Sequence, residues 1–126
     1  MLEALTKHVD HKSPHVRRSV YDALGDLHAP ADALRPLFES ARLDPSPEVR
    51  TVALESEAIQ FKDALAPYLE SQIGASDPLA RAAVAAAAKH LSDKFAVPML
   101  VRLSKDANKR VADIATHGLE GFPTDS

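Results

Sequence analysis

Ser13-Pro14-His15-Val16-Arg17 returns as Ser46-Pro47-Glu48-Val49-Arg50, as Asp77-Pro78-Leu79-Ala80-Arg81 and, in worn form, as Asn108-Lys109-Arg110-Val111-Ala112. The steps between the first residues of these phrases are 33, 31 and 31. A second marker, Pro36, Pro67 and Pro98, repeats at 31 and 31. Two independent markers with one period identify an internal repeat. A period in the range of about 20–50 residues marks units that stack on one another, because no single unit can cover its own apolar face.

Each marker has a mechanical meaning. Ser13, Ser46, Asp77 and Asn108 are good helix N-caps, whose side-chain oxygens can accept from the first free backbone N–H groups. Pro14, Pro47 and Pro78 follow at the first helical position, where a missing N–H costs nothing. Four helices should therefore begin just after these caps. The first has Val16, Val20, Ala23, Leu24 and Leu27 at helical spacing, and the last has Val111, Ala115, Gly118, Leu119 and Phe122 at the equivalent places. That pattern is a one-sided apolar stripe. Three shorter segments lie between them, over 32–42, 62–73 and 94–104, each with a proline near its front. Residues 2–9 read as a worn first copy with Leu5 in the proline's place. The expectation is an all-α chain of eight helices in four antiparallel pairs, one domain over 1–126, with repeats near 1–27, 28–60, 61–91 and 92–122.

Composition agrees and sets limits. The chain has 126 residues, 45% hydrophobic and 26% charged, with 22 Ala, 15 Leu and 5% aromatics. That is helix-forming material at the size of one domain. With no Cys there is no disulfide scaffold, thiolate zinc site or Cys nucleophile. The net charge of −3 gives no general attraction to nucleic acid. The charge is uneven, acidic from Glu39 to Asp77 and basic from Lys89 to Arg110, so any steering field is a dipole along the molecule. No apolar run is long enough to cross a membrane, and the first residues lack a signal-peptide pattern. The default location is the cytoplasm.

The phrase Pro-x-Val-Arg-x-x-x-x-x-Ala-Leu, preceded by a proline-bearing helix in each copy of about 31 residues, resembles HEAT-like repeats. The closest variety is the short form named after phycobilisome lyases. The resemblance covers nearly the whole chain. It is strongest in the first repeat, at Val16, Arg17, Ala23, Leu24 and Gly25, and weakest in the second. It implies an α-solenoid, helix pairs stacked into a curved rod, and most often a rigid surface that grips another protein. It also implies a structural ladder of Arg17, Arg50 and Arg81 reaching toward acids in adjacent turns, for which Asp10, Asp44 and Asp106 are candidates. Ala112 ends that series.

The copies disagree in two places. Where the first copy has Ala23, Leu24 and Leu27, the second has Ser56, Glu57 and Gln60. Glu57 thus holds a position that is apolar in every other repeat, and a buried unpaired carboxylate costs several kcal/mol or takes up a proton. Three readings compete. The helix is rotated and Glu57 meets solvent; or Glu57 pairs with a base such as Arg35, Lys62 or Lys89; or Glu57, with Gln60, lines a functional pocket. The second place is Ala80 to Lys89, where alanines cover most of the helix. They either let neighbouring helices approach closely or offer a smooth patch to a partner. If the second helices line the concave side, as the resemblance implies, three rows form its surface. They are Arg18, Thr51, Ala82 and Asp113; Tyr21, Leu54, Ala85 and Thr116; and Asp22, Glu55, Ala86 and His117. This strip is mildly apolar in the middle and charged at the ends, and would suit a peptide or helix of another protein.

Enzyme signatures are absent. His8, His11 and His15 lie close in sequence, but the turn at Ser13-Pro14 should splay His15 away from a metal, so no metal or cofactor is expected. Iron-dependent hydroxylases that share this repeat use His-Glu pairs as ligands, and no His-Glu dipeptide occurs here. Nothing marks a bilin site, a phosphate-binding glycine loop or a nucleophile motif. The leading expectation is a non-enzymatic scaffold for another protein or peptide, without nucleic acid or membrane. One alternative is an accessory lyase or chaperone-like subunit acting on a cofactor-bearing protein, with Glu57 in a pocket. Another is a piece of a longer solenoid, or one that self-associates through its terminal repeats at Leu2, Leu5 and Phe122.

Overall fold

A computed structural model describes residues 1–123. The four caps do what their chemistry allows. Ser13 Oγ accepts from Val16 N at 3.4 Å, Ser46 Oγ from Val49 N at 3.4 Å, Asp77 Oδ1 from Leu79 N at 2.9 Å and Asn108 Oδ1 from Val111 N at 3.2 Å. Behind them run α2 (Pro14–Leu24), α4 (Pro47–Phe61), α6 (Pro78–Ala88) and α8 (Lys109–Leu119). The other layer holds α1 (Leu2–Thr6), α3 (Ala31–Ala41), α5 (Ala66–Gln72) and α7 (Asp93–Ser104). A 3-10 turn, Lys62–Leu65, leads into α5. Pro36 and Pro98 sit inside α3 and α7, while Pro67 falls in the first turn of α5.

The capped helices form an inner layer in which α2 packs on α4, α4 on α6 and α6 on α8. The outer helices each lie against their own partner, α3 on α4, α5 on α6 and α7 on α8. The result is a short α-solenoid, with no strand among the described residues.

Burial follows the stripes with one exception. Val20 and Leu24 are buried, but Ala23 is exposed. The equivalent Ser56, Ala87 and Gly118 are all buried because that flank meets the preceding inner helix. A Cβ added at Gly118 would lie 3.8 Å from Lys89 Cβ at the end of α6. The first copy has no earlier inner helix to meet.

The apolar core falls into two clusters. One gathers Val20, Leu24, Leu34, Phe38, Val49 and Ala53. The other begins at Leu54 and runs through Leu69, Val84, Leu100 and Leu103 to Ala115. Full burial of each large side chain contributes about 1.5–3 kcal/mol. The alanines of α6 belong to the second cluster, and all of Ala82 to Ala88 apart from Val84 is alanine and buried. Their small size lets α6 lie against inner and outer neighbours at once, so this stretch is packing surface and not a smooth exposed patch.

Candidate functional site

The inner layer carries an open groove of about 860 Å³ that touches α2, α4, α6 and α8. Arg18, Thr51, Glu55 and Ala82 of the expected rows line it. So do His15, Glu48, Leu79 and Arg110, which share a repeat position one turn earlier, and Val52 and Ile114. Asp22, Asp113, Thr116 and His117 are exposed but do not line the groove.

The remaining residues of the rows are core. Tyr21 is 3% exposed, Leu54 7% and Ala85 0%, and Ala86 is buried too. Tyr21 is turned toward the outer layer, where its hydroxyl donates to Leu37 O at 3.3 Å. With 3.6 residues per turn, the groove centres about 60° around the helix from the middle of the expected rows. The rotation has a simple cause. The outer helices cover the flank that bears Tyr21, Leu54 and Ala85, and solvent reaches the flank that bears His15, Glu48, Leu79 and Arg110.

Glu57 is buried, at 3% exposure, and does not reach solvent. Its partner is Arg42 at the end of α3, with Nη2 donating to Oε2 at 2.5 Å. Arg35, Lys62 and Lys89 do not pair with it; Arg35 instead pairs with Asp32 and lies over the Phe61 ring. Arg42 is held on its other side by Tyr68, whose ring centroid is 3.6 Å from the guanidinium carbon. Burial pushes the Glu57 carboxyl above its ordinary value, with Arg42 opposing. Glu57 Oε1 and Arg42 Nε are buried with no hydrogen-bond partner among the described residues.

The other two departures in α4 are also structural. The Gln60 amide donates to Leu24 O, Gly25 O and Leu27 O at 2.7, 3.2 and 2.8 Å. Leu24 closes α2 and Gly25 and Leu27 follow it, so the amide ties down the chain that leaves this helix. Ser56 lies against Gly25 at the same crossing, where a Cβ on Gly25 would come within 2.7 Å of Ser56 Oγ.

The arginine ladder forms at two of its three rungs. Arg17 binds Asp44 through Nε (2.8 Å) and Nη2 (3.0 Å), and Arg81 binds Asp106 through Nε (2.7 Å) and Nη2 (3.1 Å). Two-point pairing of this kind is directional as well as strong. Asp10 is not a rung, since Arg17 turns forward to Asp44. Asp44 also accepts from Ser46 N, and Asp106 from Asn108 N. Burial alone raises the Asp44 carboxyl, but Arg17 and the Ser46 N–H hold it below its ordinary value. Asp106 is held low by Arg81 and the Asn108 N–H. Arg50 pairs with no carboxylate among the described residues.

His8, His11 and His15 line one shallow depression of about 550 Å³. The His8 and His11 ring centroids are 6.2 Å apart. No group of three or more metal-ligating side chains converges among the described residues. Leu2 and Leu5 pack on the first core cluster and Phe122 on the second, each partly buried. No helix among the described residues is long and apolar enough to cross a membrane.

Two layers of capped helical hairpins with an arginine ladder define the class of a short helical solenoid. A model of the HEAT repeats family matches residues 1–58, just under half of the chain, which supports a HEAT-like repeat protein. No curated protein and no solved structure matches it. HEAT repeats are generally protein-interaction scaffolds.

Proposed function

We propose that the chain is a non-enzymatic scaffold that holds an amphipathic helix of another protein in the groove across α2, α4, α6 and α8. The groove itself carries this reading. Its floor is apolar at Val52, Leu79, Ala82 and Ile114, and its charges lie apart, Glu48 and Glu55 on α4 and Arg18 and Arg110 toward the ends. Leu79 is one of the few large apolar side chains left exposed, at 39%. Four helices spaced about 9–10 Å apart give a span near 30 Å. A helix of about 20 residues has that length. An apolar stripe flanked by charges on such a helix would meet the floor and the rim together.

The test is a pull-down with single changes in the groove. Leu79→Glu and Ile114→Glu should each lose the bound protein while helicity and melting temperature stay near those of the parent. A photo-reactive residue at Thr51 should cross-link the same protein, and one at Glu70 on the outer layer should not. Retention of the protein by the Leu79→Glu, Ile114→Glu double variant would refute the groove as the binding face. Changes at Tyr21, Leu54 or Ala85 do not test it, because they strike the core.

A further inference from the structure

Arg17 and Arg81 share one pose. In each, Nη1 donates to the carbonyl six residues earlier, His11 O and Ala75 O, both at 2.8 Å. The Nε–Nη2 edge then grips an aspartate from the following turn between helices, Asp44 or Asp106. Arg50 repeats the first half of this pose, with Nη1 on Asp44 O at 2.6 Å. The residue that should supply the acid, midway between Asp44 and Asp106 in the repeat, is Ala75. No carboxylate of the described residues therefore meets the remaining edge of Arg50.

Arg50 lines a pocket of about 90 Å³ between α3, α4, α5 and α6. Arg42, Glu57, Tyr68 and Gln72 share its walls. The buried atoms without partners, Glu57 Oε1 and Arg42 Nε, belong to these same walls. Two guanidinium groups against one carboxylate leave an excess of one positive charge. That volume admits a small group such as a carboxylate with its adjoining carbon. Leu79 lies on the rim of both this pocket and the groove, so the two are neighbours.

We propose that Arg50, on the wall of this pocket, is a carboxylate site, in which an acid from outside the chain takes the place that Ala75 leaves empty on its Nε–Nη2 edge. Its geometry is the one that Arg17 and Arg81 already display, a planar fork meeting two carboxylate oxygens. A monoanion there brings the local charge to neutrality. The acid is either an acidic side chain of a bound protein or a free small carboxylate, and both present the same group to Arg50. The site does not depend on the groove being occupied.

The experiment follows the Arg50 Nε–H signal by nitrogen-15 NMR of the whole chain at constant ionic strength. The probes are sodium acetate, a tripeptide Ala-Asp-Ala blocked at both ends, and its Ala-Asn-Ala counterpart. Acetate and the Asp peptide should shift the signal saturably, and the Asn peptide should not. Tighter binding of the Asp peptide than of acetate assigns the site to a protein side chain; equal binding assigns it to a free acid. Ala75→Asp should supply the acid from within, removing the saturable shift and raising the melting temperature. This variant keeps every existing contact and copies a pair found in the adjoining repeats. An absent or unsaturable shift in the parent protein, or an undiminished shift in Ala75→Asp, overturns the proposal. Neither result bears on the Ile114→Glu pull-down, because Ile114 lines the groove and not this pocket, so the two readings fail separately.

Discussion

At the scale of single residues, the pair Glu57–Arg42 decides most. Taking both charges out of water is expensive, and their attraction repays it only while both are present. Arg42→Leu should strand the Glu57 carboxylate and destabilise the fold by about 3 kcal/mol. Arg42→Leu combined with Glu57→Leu should recover most of that loss, since an apolar pair of similar volume often replaces a buried ion pair without penalty. Urea unfolding of the two singles and the double measures the coupling, and additive losses would show that the two side chains act separately. The same carboxyl sets a pH dependence. Its folded pKa lies above the unfolded one, so the folded state binds the extra proton and stability rises as pH falls through the folded value. Asp44 and Asp106 have the opposite sign, and their contribution is lost below about pH 4 as they protonate. Stability should thus rise on mild acidification and then fall. Glu57→Gln should keep the fall and lose the rise.

At the scale of elements, α2 and α4 cross where neither has a large side chain. A Cβ at Gly25 would lie 2.7 Å from Ser56 Oγ, 3.0 Å from its Cβ and 3.2 Å from its Cα. A hydroxyl can rotate away, but the Cα belongs to the backbone of α4, so the helices must part. Gly25→Ala should therefore cost about 1–3 kcal/mol, read from the denaturation midpoint. Ser56→Ala on that background should restore only part of it, and an unchanged midpoint for Gly25→Ala would mean that the crossing is looser than described. The existence and starts of the helices were legible in the sequence because caps and prolines are local signals. Which way each helix faces was not, because that depends on what the outer layer covers; hence Tyr21 and Leu54 inside and Leu79 outside. Arg42 could have been found. It stands where the next copy has the buried Ile73, though the last has Ser104, and it shares its repeat with the oppositely charged Glu57. Their pairing is a contact across 15 residues that helical periodicity alone does not reveal.

At the scale of the molecule, the charged pair lies at a division. Apolar contacts gather on one side of α4 around Leu24, Phe38 and Val49, and on the other around Leu69, Val84 and Leu100. Between them stands Glu57 with Arg42 and Tyr68, whose polar contacts are directional and do not propagate packing as apolar contacts do. In a repeat protein stability is a sum of unit and neighbour terms, so a weak apolar coupling at one seam separates cooperative units. Native-state hydrogen exchange should then resolve two tiers. Amides of α6, covered by α4, α5, α7 and α8, should open with the highest free energy, and amides of α2 with a lower one. Those of α1, which has no buried residue, should exchange first. Arg42→Leu with Glu57→Leu would join the clusters across the seam and bring the α2 and α6 tiers together, even if global stability barely changes. A single tier in the parent protein would show instead that Arg42, Glu57 and Tyr68 couple the two halves as firmly as an apolar layer would.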